Sequence, residues 1–235
     1  MIGFLVLYIC AFGIGACYPL PKQLGFTTIG IKLVLGFMIL PLILFVFHKL
    51  LNLDLVHSCQ IITIIGIFGV LLEFWKCWER GLGRLIWLHP AIVIPISILI
   101  LAILQGGVGY IPYSGDEFSA WLTIPKQTFA LGEFDVTKMR NSYPDYTPSW
   151  FMLLIFTPII IGHEFNESSI ALSSLVLHIG VISLSFELIF KAYTEKFGNN
   201  KHLPVLFSWA FVLFTLSAQS SGQLISKNLL IEPPQ

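Results

Sequence analysis

The sequence predicts an all-α, polytopic transmembrane protein of about seven spans, and three observations carry that expectation. The 235 residues are 56% hydrophobic and only 11% charged, against roughly 25% charged in an average soluble domain. Mean hydropathy is +0.83. Apolar runs of near-membrane length recur along the chain and are broken by one extended polar interval, Tyr110–Pro148. Thirteen Lys and Arg balance thirteen Asp and Glu, so nothing in the net charge points to a nucleic-acid partner. Six Trp, seven Tyr and twenty Phe suit a bilayer, where amphipathic rings collect at the headgroup level.

Runs of roughly twenty apolar residues cross a hydrocarbon core of about 30 Å as helix. They fall at about 2–20, 26–47, 58–75 and 90–109, and after the polar interval at about 149–162, 168–190 and 203–221. The first carries no basic leader, and the second follows within a few residues. It reads as a span rather than a cleaved signal. The fifth is short and contains Pro158. The whole chain, 1–235, reads as a single transmembrane domain in which 110–148 links the fourth and fifth spans.

Lys and Arg in short loops set orientation. Lys76, Arg80 and Arg84 follow the third run among tryptophans, which puts that loop in the cytoplasm. Lys22 then also lies inside, whereas Asp54 and the 110–148 loop face the extracytoplasmic side. Lys191, Lys196 and Lys201 oppose the scheme, because seven spans would set them outside. Either the fifth run does not cross or the charge rule is weak there.

Four cysteines, Cys10, Cys17, Cys59 and Cys77, show no zinc-ligand spacing and read as small hydrophobes. Glu73 and Glu187 lie within or at the ends of spans, where an ionisable group is costly. Both are near enough to an interface to snorkel. His178 reads as a hydrogen-bonded helix residue. Asn166-Glu167-Ser168 matches a glycosylation sequon by accident, on the inner side of the membrane.

The polar interval holds five carboxylates, Asp116, Glu117, Glu133, Asp135 and Asp145, and three cations, Lys126, Lys138 and Arg140. Adjacent carboxylates at a span's mouth require water, a cation or a basic partner. Asp116 and Glu117 are therefore candidates for a metal site or a general base; an N-cap, by Asp116 or by Ser114, is the plainer alternative. The stretch EFSAWLTIPKQTFA forms a short amphipathic interfacial helix interrupted by Pro125, used to line a groove or simply to anchor. Lys138 and Arg140 would suit a phosphate, or are solvated loop charges. Asp145 sits between Pro144 and Tyr146-Thr147-Pro148, held near the interface as a site residue or as a turn-forming Asx.

DEFSAW followed by YPDYTP resembles the first extracytoplasmic loop of integral membrane glycosyltransferases of the GT-C type. Bacterial members with a DEFSxW…YPDYPP pattern are most similar, with protein mannosyltransferases and aminoarabinose transferases as distant kin. The likeness covers about forty residues. Thr147 stands where that pattern has Pro, and members commonly carry this loop after their first span and many more spans in all, so the resemblance leaves two expectations: a short relative complete as it stands, or an N-terminal portion of such an enzyme.

The resemblance implies transfer of a sugar from a polyprenyl-phosphate-linked donor to an acceptor on the outer face of a bacterial plasma membrane. Asp116, with Glu117 beside it, would act as base or hold a divalent metal, Mg or Mn. Asp145 would stand near the donor phosphate or the acceptor. Trp121, Lys126, Lys138, Arg140, Tyr143 and Tyr146 become expected substrate-binding residues, with membrane lipids and the lipid-linked sugar as partners. Two other classes stay open: a non-catalytic or degenerate protein of envelope polysaccharide synthesis, polymerase-like or flippase-like, and a small-solute transporter. The transporter ranks last, because its polar chemistry belongs near the midplane and here it is densest in a loop.

Overall fold

A computed structural model of the chain describes residues 2–19, 28–79, 87–104, 122–139, 148–162, 165, 167, 170, 173–197 and 202–220. The described residues are all helical in their regular structure: α1 Ile2–Cys17, α2 Ile29–Phe45, α3 Leu55–Glu79, α4 Pro90–Leu104, α5 Thr123–Leu131, α6 Pro148–Ile161, α7 Ser173–Phe197 and α8 His202–Ser220. Each apolar run thus becomes a helix, as a chain in lipid must satisfy its backbone internally. Three stretches are long and apolar enough to cross a membrane, Ile29–Leu50, Leu55–Lys76 and Ser173–Lys196. On composition and these helices the chain is a membrane protein.

The centre of the fold is the α1–α2–α3 group, against which α7 also packs through α2. Small residues allow the backbones to meet, as membrane helices require where lipid is as apolar as Leu. A Cβ on Gly13 would fall 1.8 Å from the Gly66 carbonyl oxygen of α3, and one on Gly36 would fall 1.6 Å from that of Ala11 of α1. Gly15 abuts Lys32, and Gly36 abuts Ala11, so α1 and α2 run antiparallel. Gly30 abuts Ser183 and Leu184, while Gly180 abuts Val34, so α7 is antiparallel to α2 as well.

These directions give the bundle two ends. One, which we call the turn end, holds the α2–α3 connection. There α2 widens into a π-turn at Val46–Leu50, Asn52 takes φ 51°, and Asp54 caps α3 by accepting from the Val56 amide at 3.2 Å. The other, the lysine end, holds the start of α2 and the C-terminal turns of α3 and α7, with Lys76 and Lys196.

α5 lies against α6. The sequence suggests that Pro125 interrupts this helix, but Pro125 occupies its third position. Helix N–H groups there have no intrahelical acceptor, so proline is tolerated. Ile124 joins the central core rather than a lipid interface, and Gly132 ends the helix at φ 70°, a left-handed cap that suits glycine.

The middle of α6 is buried on all sides: Phe151 to Phe156 are each at most 3% exposed. Its fourteen residues extend about 21 Å, short of a hydrocarbon core of about 30 Å. The chain beyond it returns to α5, where Phe165 meets Phe129 at 5.8 Å between ring centroids and Ile170 shares a cluster with Leu122 and Leu154.

Candidate functional site

Of the residues that the sequence marks for a site, Lys126 and Lys138 are described. Asp116, Glu117, Trp121, Arg140, Tyr143, Asp145 and Tyr146 lie outside the described residues, and with them the carboxylates expected to hold a divalent metal. Among the described residues no three His, Cys, Asp or Glu side chains gather as a metal site.

The described half of the polar interval sits at the turn end. Its position is set by His48 on the π-turn, a buried ring that the sequence pattern does not single out. Its Nδ1 lies 3.0 Å from the Leu53 carbonyl oxygen, and the Phe134 amide donates to its Nε2 at 3.2 Å. A carbonyl can only accept and an amide can only donate, so the ring is neutral and protonated on Nδ1. Phe134 and Met139 are buried beside it in the central core.

Around this anchor the charges are exposed and mutually engaged. Lys138 pairs with Glu133 and stands 3.6 Å from Asp135; the Glu133 carboxylate raises the Lys138 ammonium above the usual lysine range. Asp135 accepts from the Thr137 hydroxyl at 2.6 Å and from its amide at 3.0 Å. Those bonds hold its carboxyl below the usual aspartate range. Lys138 is thus engaged by two carboxylates that are themselves partly exposed; the sequence reads it as a phosphate partner or as a solvated loop charge. Lys126 stands 3.7 Å from Glu167. Seven spans would set these two residues on opposite sides of a membrane, whereas here they are neighbours.

The lysine end is built differently. Lys32 of α2 pairs with Glu73 of α3, both buried. Glu187 of α7 accepts from the Gly30 amide at 2.7 Å, and His89 Nε2 lies 3.2 Å from the same carboxylate oxygen. His89 also caps α4, its Nδ1 accepting from the Ala91 amide at 3.2 Å. Neither Glu73 nor Glu187 snorkels as the sequence suggested; Glu187 is 2% exposed. Lys32 has a signal that could have been read, as the one charged residue in an otherwise apolar run before His48. The pairing could not, because it depends on how α2 and α3 are rotated. His178 makes the helix hydrogen bond expected of it, to the Ser174 carbonyl oxygen at 2.8 Å.

The fold and composition therefore define a helical membrane protein with a polar face at the turn end. Comparisons with family models, with curated proteins and with solved structures find no match.

Proposed function

We propose that the chain is a GT-C-like glycosyltransferase element that moves a sugar from a polyprenyl-phosphate-linked donor to an acceptor at the extracytoplasmic face. The observation that carries this reading is the pairing of DEFSAW and YPDYTP at the two ends of one polar interval. Two features support it. The centre of that interval is tied to the bundle through His48 and α5, which suits a loop that must hold reacting groups in register. Two tyrosines flank Asp145, giving the flat surfaces a sugar needs.

In this reading Asp116 or Glu117 takes the proton of the acceptor hydroxyl. Lys126, Arg140 and, once released from Glu133, Lys138 face the departing phosphate. A divalent metal held by Asp116 and Glu117 would supply further charge neutralisation. The test is sugar transfer in proteoliposomes supplied with a polyprenyl-phosphate sugar donor. Asp116→Asn and Asp145→Asn are each expected to lower the rate roughly 10²-fold or more. Rates unchanged in both would overturn the assignment. The engagement of Lys138 favours a second reading, a protein that binds the lipid-linked sugar without turning it over; retained donor binding with no transfer in the parent chain would select it.

We further propose that α6 enters the bundle and leaves on the same side. α7 begins at the turn end because it is antiparallel to α2, and the 132–139 segment is tied to that end too. Six crossings follow: α1, α2, α3, α4, α7 and α8. Lys191, Lys196 and Lys201 then join Lys22, Lys76, Arg80 and Arg84 on one face, and the opposition to the positive-inside pattern disappears. A membrane-impermeant thiol reagent added to sealed cells should label Thr137→Cys and Glu167→Cys and spare Lys196→Cys, in a background free of native cysteines. Labelling of Lys196→Cys from the same side as Thr137→Cys would refute the six-crossing arrangement.

A further inference from the structure

We infer that the lysine end holds a carboxylate seat built by the starts of α2 and α4, which Glu187 fills from α7 and which a free small carboxylate takes when that side chain is cut back. Glu187 is 2% exposed, and a carboxylate so buried must be compensated. Among the described residues no Lys or Arg stands within ion-pair distance of it; Lys32, two residues from Gly30, is engaged by Glu73. What faces Glu187 instead is the positive end of two helices.

The two helix starts contribute differently. At α2 the N-cap residue Thr28 makes no side-chain cap, and the Gly30 amide donates to Glu187 Oε1 at 2.7 Å, so an oxygen from another helix does the capping. At α4 the Ala91 amide donates to His89 Nδ1 at 3.2 Å and the Ile92 amide to the His89 carbonyl oxygen at 2.8 Å. With Nδ1 accepting, the ring carries its proton on Nε2, and Nε2 lies 3.2 Å from Glu187 Oε1. His89 thus passes the polarity of the α4 amides to the carboxylate. Both groups that line the seat are donors, so it suits an anion with two coplanar acceptors and not a cation.

Glu187 fills this seat incompletely. His89 Nε2 and Glu187 Oε2 are both buried, and neither makes a regular hydrogen bond. Both donors are drawn to Oε1, while Oε2 meets neither. The donors are held where they are: the His89 ring packs edge-on against Phe186 at 5.3 Å between centroids, and a Cβ on Gly30 would fall 2.3 Å from the Leu184 backbone nitrogen. The side-chain tether sets the position of the carboxylate, whereas an untethered one can turn to place one oxygen at each donor. The seat stands on helix ends and ring geometry and not on the glycosyltransferase reading.

Thermal unfolding of the full chain carrying Glu187→Ala tests it, in detergent micelles, with sodium formate or acetate titrated at constant ionic strength against chloride. Either carboxylate should raise the unfolding midpoint saturably, in the millimolar range, and leave the parent unchanged. Acetamide, of the same shape without the charge, should do markedly less. Adding His89→Ala removes one donor and should raise the half-effect concentration of acetate about tenfold. A Glu187→Ala midpoint indifferent to both carboxylates would overturn the seat, as would an equal rise in the parent, an equal effect of acetamide, or an acetate response that His89→Ala leaves untouched. Should Glu187→Ala fail to fold, refolding yield becomes the readout: recovery in formate or acetate but not in chloride supports the seat, and recovery in neither overturns it.

Discussion

The two ends of the bundle handle charge in opposite ways. At the turn end the charged side chains are exposed or half-exposed and pair with near neighbours in sequence, Asp54 with His57 and Lys138 with Glu133 and Asp135. The buried ring there, His48, is neutral, held between a carbonyl and an amide. At the lysine end the pairs are buried and join different helices, Lys32 to Glu73 and Glu187 to the start of α2 and to His89. Exposed pairs contribute little because water and salt screen them. Buried pairs are fixed, since neither partner can leave without stranding the other in a medium that solvates it poorly. The lysine end is therefore the rigid one, and the turn end the one whose charges are free to change partners.

The sharpest way to break that contrast is to strand one member of the Lys32–Glu73 pair. Lys32→Met leaves Glu73 buried without its cation, and a loss of about 3–5 kcal/mol is expected. Lys32→Met with Glu73→Leu removes both charges and should return stability close to that of the parent, because well-packed apolar residues often replace a buried pair without penalty. Denaturant unfolding in detergent micelles measures both. If the double variant is as unstable as the single, the pair does not act as a coupled unit and the lysine end is not held by charge.

How much of this was legible can be judged from α6 and Lys32. Apolar runs marked where helices form, because a chain in lipid has no other way to satisfy its backbone. Length and hydropathy did not reveal that α6 is wrapped by protein, since a core helix and a membrane span are equally apolar. Its fourteen residues were the available clue, as runs that short are more often buried or re-entrant than spanning. Lys32, Glu73, His89 and Glu187 are far apart in sequence and meet only through helix directions and rotations that glycine contacts determine. The DEFSAW and YPDYTP motifs were legible as sequence, but their carboxylates fall outside the described residues. His48 gave no sign of its role, which comes from two backbone groups, Leu53 and Phe134, that leave no side-chain signature.

The smallest effect expected tests the exposed side of the contrast. Asp54 accepts from His57 at 2.7 Å, and that bond holds the Asp54 carboxyl below the usual aspartate range. A carboxyl depressed in the folded state contributes stability above its unfolded value, about 3.9. The contribution is lost as pH falls below that value and through the folded one. Both partners are exposed, with side chains 71% and 51% accessible, so screening leaves the pair well under about 1 kcal/mol. Asp54→Asn keeps the cap on α3, since an Asn side-chain oxygen can accept from the Val56 amide, and removes only the charge. Its unfolding midpoint near pH 7 should therefore fall slightly below that of the parent, and the difference should shrink as pH falls below about 3.9. A loss in the Asp54→Asn variant as large as that of Lys32→Met would mean that the turn end, too, depends on a fixed charge.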